Sequence, residues 1–259
     1  MLSRDQLREH LIQTRIAGDV ATSRENNLDH YSSVANRDPY YMLGLTFEQP
    51  WSFRDVLALM AKSAGVVADP GHRRGQDTID PDRTIDALDA MADSIAGALS
   101  LDSPRLLFAT GHPTGLLAVH LPLARFAAER GATLLTPAEG WVYSGAGFGR
   151  PRHVRYLEEV AMLNEKGGFV HTHDSAPMER MLSELDTPPD LVIADHGWAG
   201  AAGEAGVPTV AFADSNDPAL FLGEAEGKIA ACVPLDDNVL PRHYAPLTER
   251  IVTRVSRAL

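Results

Sequence analysis

The stretch of residues 190–220, DLVIADHGWAGAAGEAGVPTVAFADSNDPAL, decides the fold that the sequence predicts. It contains two short apolar runs, residues 191–194 and 209–213, and a carboxylate follows each run directly. Continuous apolar runs of this length are typical of parallel strands that are buried on both faces. The residues between the runs are rich in Ala and Gly and are just numerous enough for a short crossover helix. We therefore predict a β-α-β unit with polar residues at the carboxyl ends of its strands, where open α/β sheets bind ligands.

Residues 105–259 continue this pattern, because short apolar runs alternate there with glycine-containing loops and helical segments. Residues 154–163 and 168–172 predict the two strands of a hairpin, and a glycine-rich loop at 145–149 precedes them. Residues 1–104 differ, since their apolar residues mostly recur at helical spacing. The predicted fold is α/β, with a mostly parallel sheet flanked by helices in residues 105–259 and a helical N-terminal region packed on that core as one compact unit.

The composition excludes several classes of protein. Acidic residues outnumber basic ones by 35 to 23, and the net charge of −12 argues against an extended surface for nucleic acid. The only cysteine of the sequence, Cys232, lies in an apolar run, so no internal disulfide is possible and nothing indicates an oxidising compartment. No apolar run approaches the roughly 20 residues that span a bilayer, and the charged N-terminus lacks the apolar part of a secretory signal. We predict a cytoplasmic protein that binds neither nucleic acid nor membrane; its oligomeric state stays open, with a homodimer among the candidates.

Five predicted strands end in clusters of polar residues. The clusters are residues 110–112, 171–174, 195–196, 214–217 and 236–238. Each cluster alone is also explained by a structural role, since polar residues commonly cap strands and turns. All five together favour a catalytic rim, because the carboxyl ends of parallel strands meet at one edge of a sheet.

The segment TGHPTG, residues 110–115, follows a predicted strand and begins a predicted helix. The backbone N–H groups of such a loop and the helix N-terminus attract anions. The segment matches neither the Walker A pattern nor the GxGxxG fingerprint, and a tight turn that needs glycine is the alternative explanation. The residues predicted to bind a substrate phosphate are Thr110, Gly111, Thr114 and Gly115, joined by Arg73 and Arg74 from a polar loop that is otherwise explained as solvated surface.

Histidines and carboxylates at the strand ends predict a metal site. His171 and His173 are two positions apart, so on an extended strand their side chains point to the same side. Asp195, Asp214 and Asp217 complete the predicted ligand set. Carboxylates dominate this set and thiolates are absent, so Mg²⁺ or Mn²⁺ is favoured over Zn²⁺. A divalent metal is expected if the substrate is phosphorylated, because the carboxylates would otherwise repel the phosphate.

Three residues are predicted to carry the chemistry, namely His112, His196 and Asp195. Either histidine could move a proton to the leaving group. Asp195 or Asp214 could attack directly, although neither begins the Asp-x-Asp-x-Thr signature of aspartate-nucleophile phosphatases. Neither histidine follows an arginine, as the nucleophile of histidine phosphatases does, so that covalent route is disfavoured. Attack by water and attack by a carboxylate stay open.

Six long motifs are distributed over nearly the whole chain. They are TRIAGDVATSRENNLDHY at 14–31, ATGHPTGLL at 109–117, HTHDSAPMERML at 171–182, VIADHGWAGAAGEAG at 192–206, FADSNDPALFLGEAEGK at 212–228 and VPLDDNV at 233–239. Together they resemble a family of bacterial, chiefly actinobacterial, proteins that are named phosphatases. The resemblance implies phosphatase activity but supplies no catalytic residues, so the roles given above come from this sequence.

These observations predict the hydrolysis of a small-molecule phosphate monoester, assisted by a metal. Two alternatives use the same residues. In the first, the rim binds a phosphorylated metabolite or nucleotide without turning it over. In the second, the protein is a metal-dependent isomerase or lyase that acts on a phosphorylated substrate. Release of inorganic phosphate discriminates hydrolysis from both.

Overall fold

The computed structural model describes residues 1–143 and 150–259, so the glycine-rich loop predicted at 145–149 lies outside the described residues. The helices are α1 (Arg4–Gln13), α2 (Arg24–Ala35), α3 (Phe53–Ser63), α4 (Pro81–Leu99), α5 (Pro113–Glu129), α6 (Ala176–Ser183), α7 (His196–Glu204), α8 (Pro218–Ala225) and α9 (Ala245–Ala258). The strands are β1 (Gly18–Ser23), β2 (Gln76–Ile79), β3 (Arg105–Ala109), β4 (Thr133–Leu134), β5 (Val142–Tyr143), β6 (Arg152–Leu157), β7 (Val160–Glu165), β8 (Gly168–Val170), β9 (Leu191–Asp195), β10 (Thr209–Ala213) and β11 (Ala231–Pro234).

Strands β11, β10, β9, β3 and β7 are neighbours in that order, and each pair runs parallel. They form the middle of a sheet that has nine strands within the described residues. Strand β4 pairs in parallel with the start of β3. Strands β6 and β8 pair antiparallel with β7, and β5 pairs antiparallel with β6. The α/β fold with a mostly parallel sheet is therefore confirmed.

Helices cover both faces of this sheet. Helices α1, α4, α5 and α9 pack on one face, and α2, α3, α6, α7 and α8 pack on the other. Side chains alternate between the faces, so that Ile193 and Phe212 meet the first layer while Val192 and Ala211 meet the second. Burial on both faces explains the apolar runs in the sequence, since each fully buried Ile or Phe contributes about 1.5–3 kcal/mol. No helix of the described residues is long and apolar enough to cross a membrane.

The N-terminal region is helical, as predicted, and it supplies helices to both layers. It also contains a two-stranded antiparallel sheet of β1 and β2, which was not predicted from the sequence. In β1 only Val20 is buried, so the strand shows no clear alternation of apolar and polar residues. The sheet brings β1 next to the end of β11, where the backbone N–H of Asp236 donates to the carbonyl oxygen of Ile16.

The single strand predicted at residues 154–163 is wrong, because the structure divides it into β6 and β7. Glu158 and Glu159 both have left-handed φ angles, 47° and 64°. Two successive left-handed residues form the tight turn that matches the twist of a hairpin, a turn for which Asn-Gly is the usual sequence signal. Two glutamates give no such signal, so the turn was not predicted.

The end of β8 reaches the carboxyl rim although this strand is antiparallel to β7. Val160 of β7 pairs with Phe108 near the end of β3, so the β7–β8 hairpin extends beyond the rim and β8 returns toward it. The returning chain is fixed by the backbone N–H of Thr172, which donates to the carbonyl oxygen of Gly111 at 2.9 Å. Residues 171–173 consequently lie over the carboxyl ends of the parallel strands.

Candidate active site

A polar cavity of about 380 Å³ lies at the carboxyl rim of the sheet. Its lining contains four histidines, His112, His171, His173 and His196, which follow β3, β8 and β9 and which we call the imidazole side. Across from them stand Asp214, Asp217 and Asp237, which follow β10 and β11. Together with Asp236, which is not in the described lining but has an oxygen within 4.8 Å of Asp214 and Asp237, they form what we call the carboxylate side. Thr22, Thr114, Asn216 and Asn238 complete the described lining.

Asp195, the last residue of β9, lies fully buried behind the imidazole side. Its Oδ1 atom accepts hydrogen bonds from the backbone N–H groups of Gly111 (2.7 Å) and His112 (3.2 Å) and lies 2.8 Å from His196 Nδ1. Its Oδ2 atom lies 3.1 Å from His120 Nε2. Burial alone would raise the pKa of Asp195, but the hydrogen bonds from the two histidines hold that pKa well below its usual range. Asp195 is therefore an ionised carboxylate with both oxygens occupied.

His196 is the residue at which the two sides meet. Its φ angle of 49° is left-handed, which is uncommon for a residue with a side chain, and it turns the ring from the end of β9 into the cavity. Nδ1 faces Asp195, while Nε2 lies 3.5 Å from Asp217 Oδ2, 3.5 Å from Asp237 Oδ2 and 3.3 Å from His171 Nε2. Burial opposes protonation, but these carboxylates outweigh it and raise the pKa of His196 to about 10.

The other histidines of the imidazole side are held by stacking. The rings of His112 and His171 are nearly parallel, with centroids 4.3 Å apart, and the ring of Tyr40 stacks on His173 at 5.4 Å. Burial and the neighbouring imidazoles lower the pKa of His171 to about 4 and that of His173 to about 3. His112 behaves differently, because Asp237 Oδ2 lies 3.1 Å from its Nδ1 atom and raises its pKa against the effect of burial.

The carboxylate side is closely packed and buried. One oxygen from each of Asp214, Asp236 and Asp237 lies within 4.8 Å of the others. Burial raises the pKa of Asp214 well above its usual range, and the charges of Asp237 and Asp236 add to this rise. Burial also raises the pKa of Asp217. Asp237 differs, since the two nearby histidines lower its pKa despite its burial.

The N-terminal region completes the carboxylate side with neutral donors. The Thr22 hydroxyl donates to Asp214 Oδ2, and the backbone N–H of Ala21 donates to Asp236 Oδ2 at 3.0 Å. The loop after β10 is fixed by Tyr31, whose hydroxyl donates to the carbonyl oxygen of Ser215 at 2.8 Å. Hydrogen bonds from residues 21–31 therefore hold the segments that follow β10 and β11 and carry these carboxylates.

The structure brings together seven of the residues singled out from the sequence. The cavity lining includes His112, Thr114, His171, His173, His196, Asp214 and Asp217. Thr110 and Gly111 lie buried beneath it, where the Thr110 hydroxyl oxygen accepts from His112 N at 3.0 Å and Gly111 N donates to Asp195. Gly115 packs so closely that a Cβ atom there would lie 2.0 Å from the Asp237 carbonyl oxygen. The backbone donors of the predicted phosphate loop are thus largely committed to the protein.

Arg73 and Arg74 are exposed on the loop before β2 and are absent from the described lining of the cavity. The Asp-x-Asp-x-Thr spacing does occur once in the chain, at residues 80–84, but there it serves α4. Asp80 caps this helix, and Asp82 pairs with Arg4 and Arg8 on the surface. This spacing has a structural role and lies apart from the cavity lining.

Asp236, Asp237, His120 and Thr22 of the site were not assigned from the sequence. Asp237 was part of a polar cluster, but the pattern did not show which of its members faces the cavity. His120 interrupts an otherwise apolar helix eight positions after His112, and this spacing was its only signal. Thr22 gave no signal, since it lies in the strand that was not predicted.

Within the described part of the chain, side chains form three groups that could hold a metal ion. These groups are His112 with His171 and His196, His173 with His196 and Asp217, and Asp214 with Asp236 and Asp237. His196 belongs to the first two groups and therefore connects them. The Nδ1 atom of His173 is buried without a hydrogen-bond partner among the described residues, which is costly unless another group satisfies it.

Comparison with known proteins shows a similarity to phosphatases over nearly the whole chain. Residues 2–259 match a family model described as Phosphatase. The chain is also 48% identical over 257 residues to Phosphatase SCO2771 of Streptomyces coelicolor, an alignment that covers 97% of this chain and 95% of that protein. Both descriptions agree with the resemblance found in the sequence motifs.

Proposed function

Because this chain belongs to the Phosphatase family, we propose that its activity is the metal-assisted hydrolysis of a small phosphate monoester at the cavity between the imidazole and carboxylate sides. The family membership supports phosphatase activity. The geometry of the cavity supports the metal, and the phosphate of the substrate follows from the family.

The observation that carries the proposed metal is the set of distances around His196 Nε2. This atom lies 3.3 Å from His171 Nε2 and 3.5 Å from one oxygen each of Asp217 and Asp237. Neighbouring ligand atoms bound at about 2.1 Å to one ion are roughly 3.0 Å apart in an octahedron and roughly 3.4 Å apart in a tetrahedron. Three potential ligand atoms therefore lie at this spacing from His196 Nε2, and His173, whose Nδ1 atom has no hydrogen-bond partner among the described residues, forms a further group with His196 and Asp217.

The donor set refines the choice of metal. The sequence favoured Mg²⁺ or Mn²⁺ because carboxylates dominated the predicted ligands, but imidazoles contribute at least equally to the group around His196. Imidazole nitrogens suit Zn²⁺ better than Mg²⁺, and carboxylates suit Mn²⁺. Mn²⁺ fits both kinds of ligand, so we propose Mn²⁺ first and Zn²⁺ second. The metal would displace the proton that His196 holds between the carboxylates, since ligands bind in deprotonated form.

Asp195 then acts as a positioning residue behind the ligands. Both of its oxygens are occupied by protein groups, and its contact with His196 Nδ1 leaves Nε2 facing the cavity. A carboxylate behind a ligating histidine fixes the ring and raises its basicity. This role differs from the ligand and catalytic roles that were predicted for Asp195 from the sequence.

The chain supplies the remaining chemistry. A bound divalent metal would offset the charge of the phosphate, which the carboxylate side would otherwise repel. His112, whose pKa is raised beside Asp237, would donate a proton to the leaving oxygen. Asp214, whose pKa burial also raises, would take the proton from the attacking water. The exposed hydroxyl of Thr114 at the start of α5 would bind a phosphate oxygen.

Phosphate release tests this proposal directly. The protein is treated with a chelator and assayed against a panel of phosphorylated metabolites, first without metal and then with Mg²⁺, Mn²⁺ or Zn²⁺. We expect release only with added metal, and loss of release in Asp217→Asn but not in the control Asp102→Asn, whose side chain is exposed. Equal release after chelation would overturn the role of the metal. No release with any metal would overturn the hydrolytic function.

A further inference from the structure

A second cavity, of about 480 Å³, adjoins the active site. Thr114 and Asn238 line both cavities, and Asp236 of the carboxylate side lines the second one. Its volume lies in the usual range of small-molecule sites, roughly 300–1,000 Å³. Building on the phosphatase function proposed above, we infer that this cavity binds the leaving group of the substrate, and that Arg15 selects leaving groups that carry a negative charge of their own.

Arg15 is preorganised for this role. It follows α1 with a left-handed φ angle of 61°, and its backbone N–H donates to the carbonyl oxygen of Ile12 at 3.1 Å. Its guanidinium donates from Nε to the carbonyl oxygen of Asp19 and from Nη2 to that of Val20, each at 3.1 Å. Nη1 takes part in neither bond, and Arg15 forms no ion pair within the described residues. A clamped guanidinium with a free edge loses little conformational freedom when it binds an anion.

Strand β1 connects this cation to the reacting centre within three residues. The carbonyl oxygen of Val20 holds Arg15, the N–H of Ala21 holds Asp236, and the hydroxyl of Thr22 holds Asp214. A substrate whose phosphate lies at the active site would therefore extend its other end past Thr114 and Asn238 toward Arg15.

The other walls of the second cavity fit a small leaving group. Val239, Leu240 and Pro241 form an apolar wall, and 53% of Leu240 is exposed. Arg15 is the only arginine or lysine in the described lining. The oxygens of Asp236 accept from the N–H groups of Ala21 and Asn238, both at 3.0 Å, and this carboxylate forms no ion pair with Arg15 among the described residues. A carboxylate or a second phosphate on the leaving group has the chemistry that this cavity recognises.

Matched substrates test the inference. 3-Phosphoglycerate and glycerol 3-phosphate differ chiefly by a carboxylate in place of a hydroxymethyl group, and fructose 1,6-bisphosphate and fructose 6-phosphate differ by a second phosphate. We expect the wild type with metal to prefer the anionic member of at least one pair, and the pair that shows the preference identifies the source of the charge. Arg15→Gln should reduce this preference by about tenfold or more, while Arg15→Lys should retain part of it. The control Arg257→Gln, on the exposed end of α9, should leave the preference unchanged.

The outcomes separate this inference from the proposed function. If the wild type releases phosphate but Arg15→Gln preserves the preference, or lowers kcat/KM equally for both members of each pair, the role of Arg15 is overturned and the hydrolytic function stands. If no substrate releases phosphate, the function fails, and calorimetric binding of 3-phosphoglycerate and of fructose 1,6-bisphosphate decides about the cavity. If the affinity for either compound is about tenfold lower in Arg15→Gln than in the wild type, the anion site is supported. If the two proteins bind equally well, or if the wild type binds neither compound, the anion site is overturned. Leu240→Trp, as a single substitution, places a larger side chain at an exposed position of the cavity wall. Because this side chain would occupy the space of the leaving group, the variant should have a higher KM than the wild type.

Discussion

The imidazole side and the carboxylate side of the rim are held in place by different parts of the chain. Groups of the α/β core fix three of the four histidines, with Asp195 behind His196 and ring stacking between His112 and His171, and Tyr40 of the N-terminal region stacks on the fourth, His173. Residues of the N-terminal region fix Asp214 and Asp236 through neutral donors, the Thr22 hydroxyl and the backbone N–H of Ala21. The core therefore orients most of the imidazoles, while the N-terminal region holds Asp214 and Asp236 of the carboxylate side in place.

The two sides also differ in how their charge depends on proton binding. His196 keeps a proton because carboxylates surround it, whereas burial keeps His171 and His173 neutral. On the carboxylate side, burial and mutual repulsion raise the pKa of Asp214. A divalent cation placed between the sides would relieve the repulsion and replace the proton of His196. The predictions below test this division of roles, beginning with the residue that joins the two sides.

His196→Asn should have the largest effect, a decrease in kcat of about 10³-fold or more. Asparagine tolerates the left-handed conformation of this position, so the variant removes the imidazole while it preserves the backbone. Metal-dependent phosphate release measures the effect, with His72→Asn on an exposed loop as the control. A variant that keeps more than about a tenth of the activity would show that the two sides work without His196.

The pH dependence of stability should reveal the proton on His196. Its pKa is raised to about 10 in the folded protein from an ordinary value of 6.5, so the folded state binds this proton more tightly than the unfolded state. The resulting stabilisation is complete below pH 6.5 and is lost as the pH rises toward 10. We expect the free energy of unfolding of the chelated protein to fall by about 3 kcal/mol between pH 6.5 and about pH 9.

Urea unfolding across this pH window measures the decrease, and NMR titration of histidine-labelled protein assigns it. The signal that disappears in His196→Asn should titrate well above the signal of His171, whose pKa is about 4. A free energy of unfolding that stays constant or rises over the window would contradict the proposed charge of His196.

Asp195→Asn should weaken metal binding by about 10–100-fold, because the carboxylate behind a ligating histidine fixes its tautomer and its basicity. The substitution preserves the size of the side chain but removes its charge, which faces two backbone donors and two imidazoles. Titration of the chelated protein with Mn²⁺ measures the affinity, and Asp102→Asn is the matched exposed control. Unchanged affinity would mean that the imidazole side is positioned without Asp195.

The sequence predicted the histidines of the imidazole side more completely than the groups that hold them in place. The apolar strand runs and the polar residues after them were sufficient to locate His112 and His196, since the parallel strands β3 and β9 bring their carboxyl ends to one rim. His171 and His173 also lie at this rim, but they follow an antiparallel strand. The route of His171 and His173 to that rim could not be predicted. It depends on the offset of the β7–β8 hairpin, and thus on a turn at Glu158 and Glu159 that carries no sequence signal.

The residues around the carboxylates were harder to predict for a different reason. Strand β1 has no clear alternation, and its contacts join positions that are about 190 to 215 residues apart in the chain. Local periodicity contains no information about such pairs. The same limit applies to Asp195, because the sequence shows a carboxylate at a strand end but not the donors that occupy both of its oxygens.

Thr22→Val should have the smallest effect and should be confined to the carboxylate side. Valine has the shape of threonine but cannot donate to Asp214, so we expect a loss of about 1 kcal/mol in the free energy of unfolding and a less than tenfold decrease in kcat. Loss of this donor raises the pKa of Asp214 further, and because Asp214 must be ionised to accept a proton, the acid limb of the kcat profile should move to higher pH. Thr253→Val on α9 makes the same chemical change away from the site, where the hydroxyl donates to the carbonyl oxygen of Glu249. If both variants leave the acid limb in place, the donors of the N-terminal region stabilise the fold but do not adjust the charge of the site.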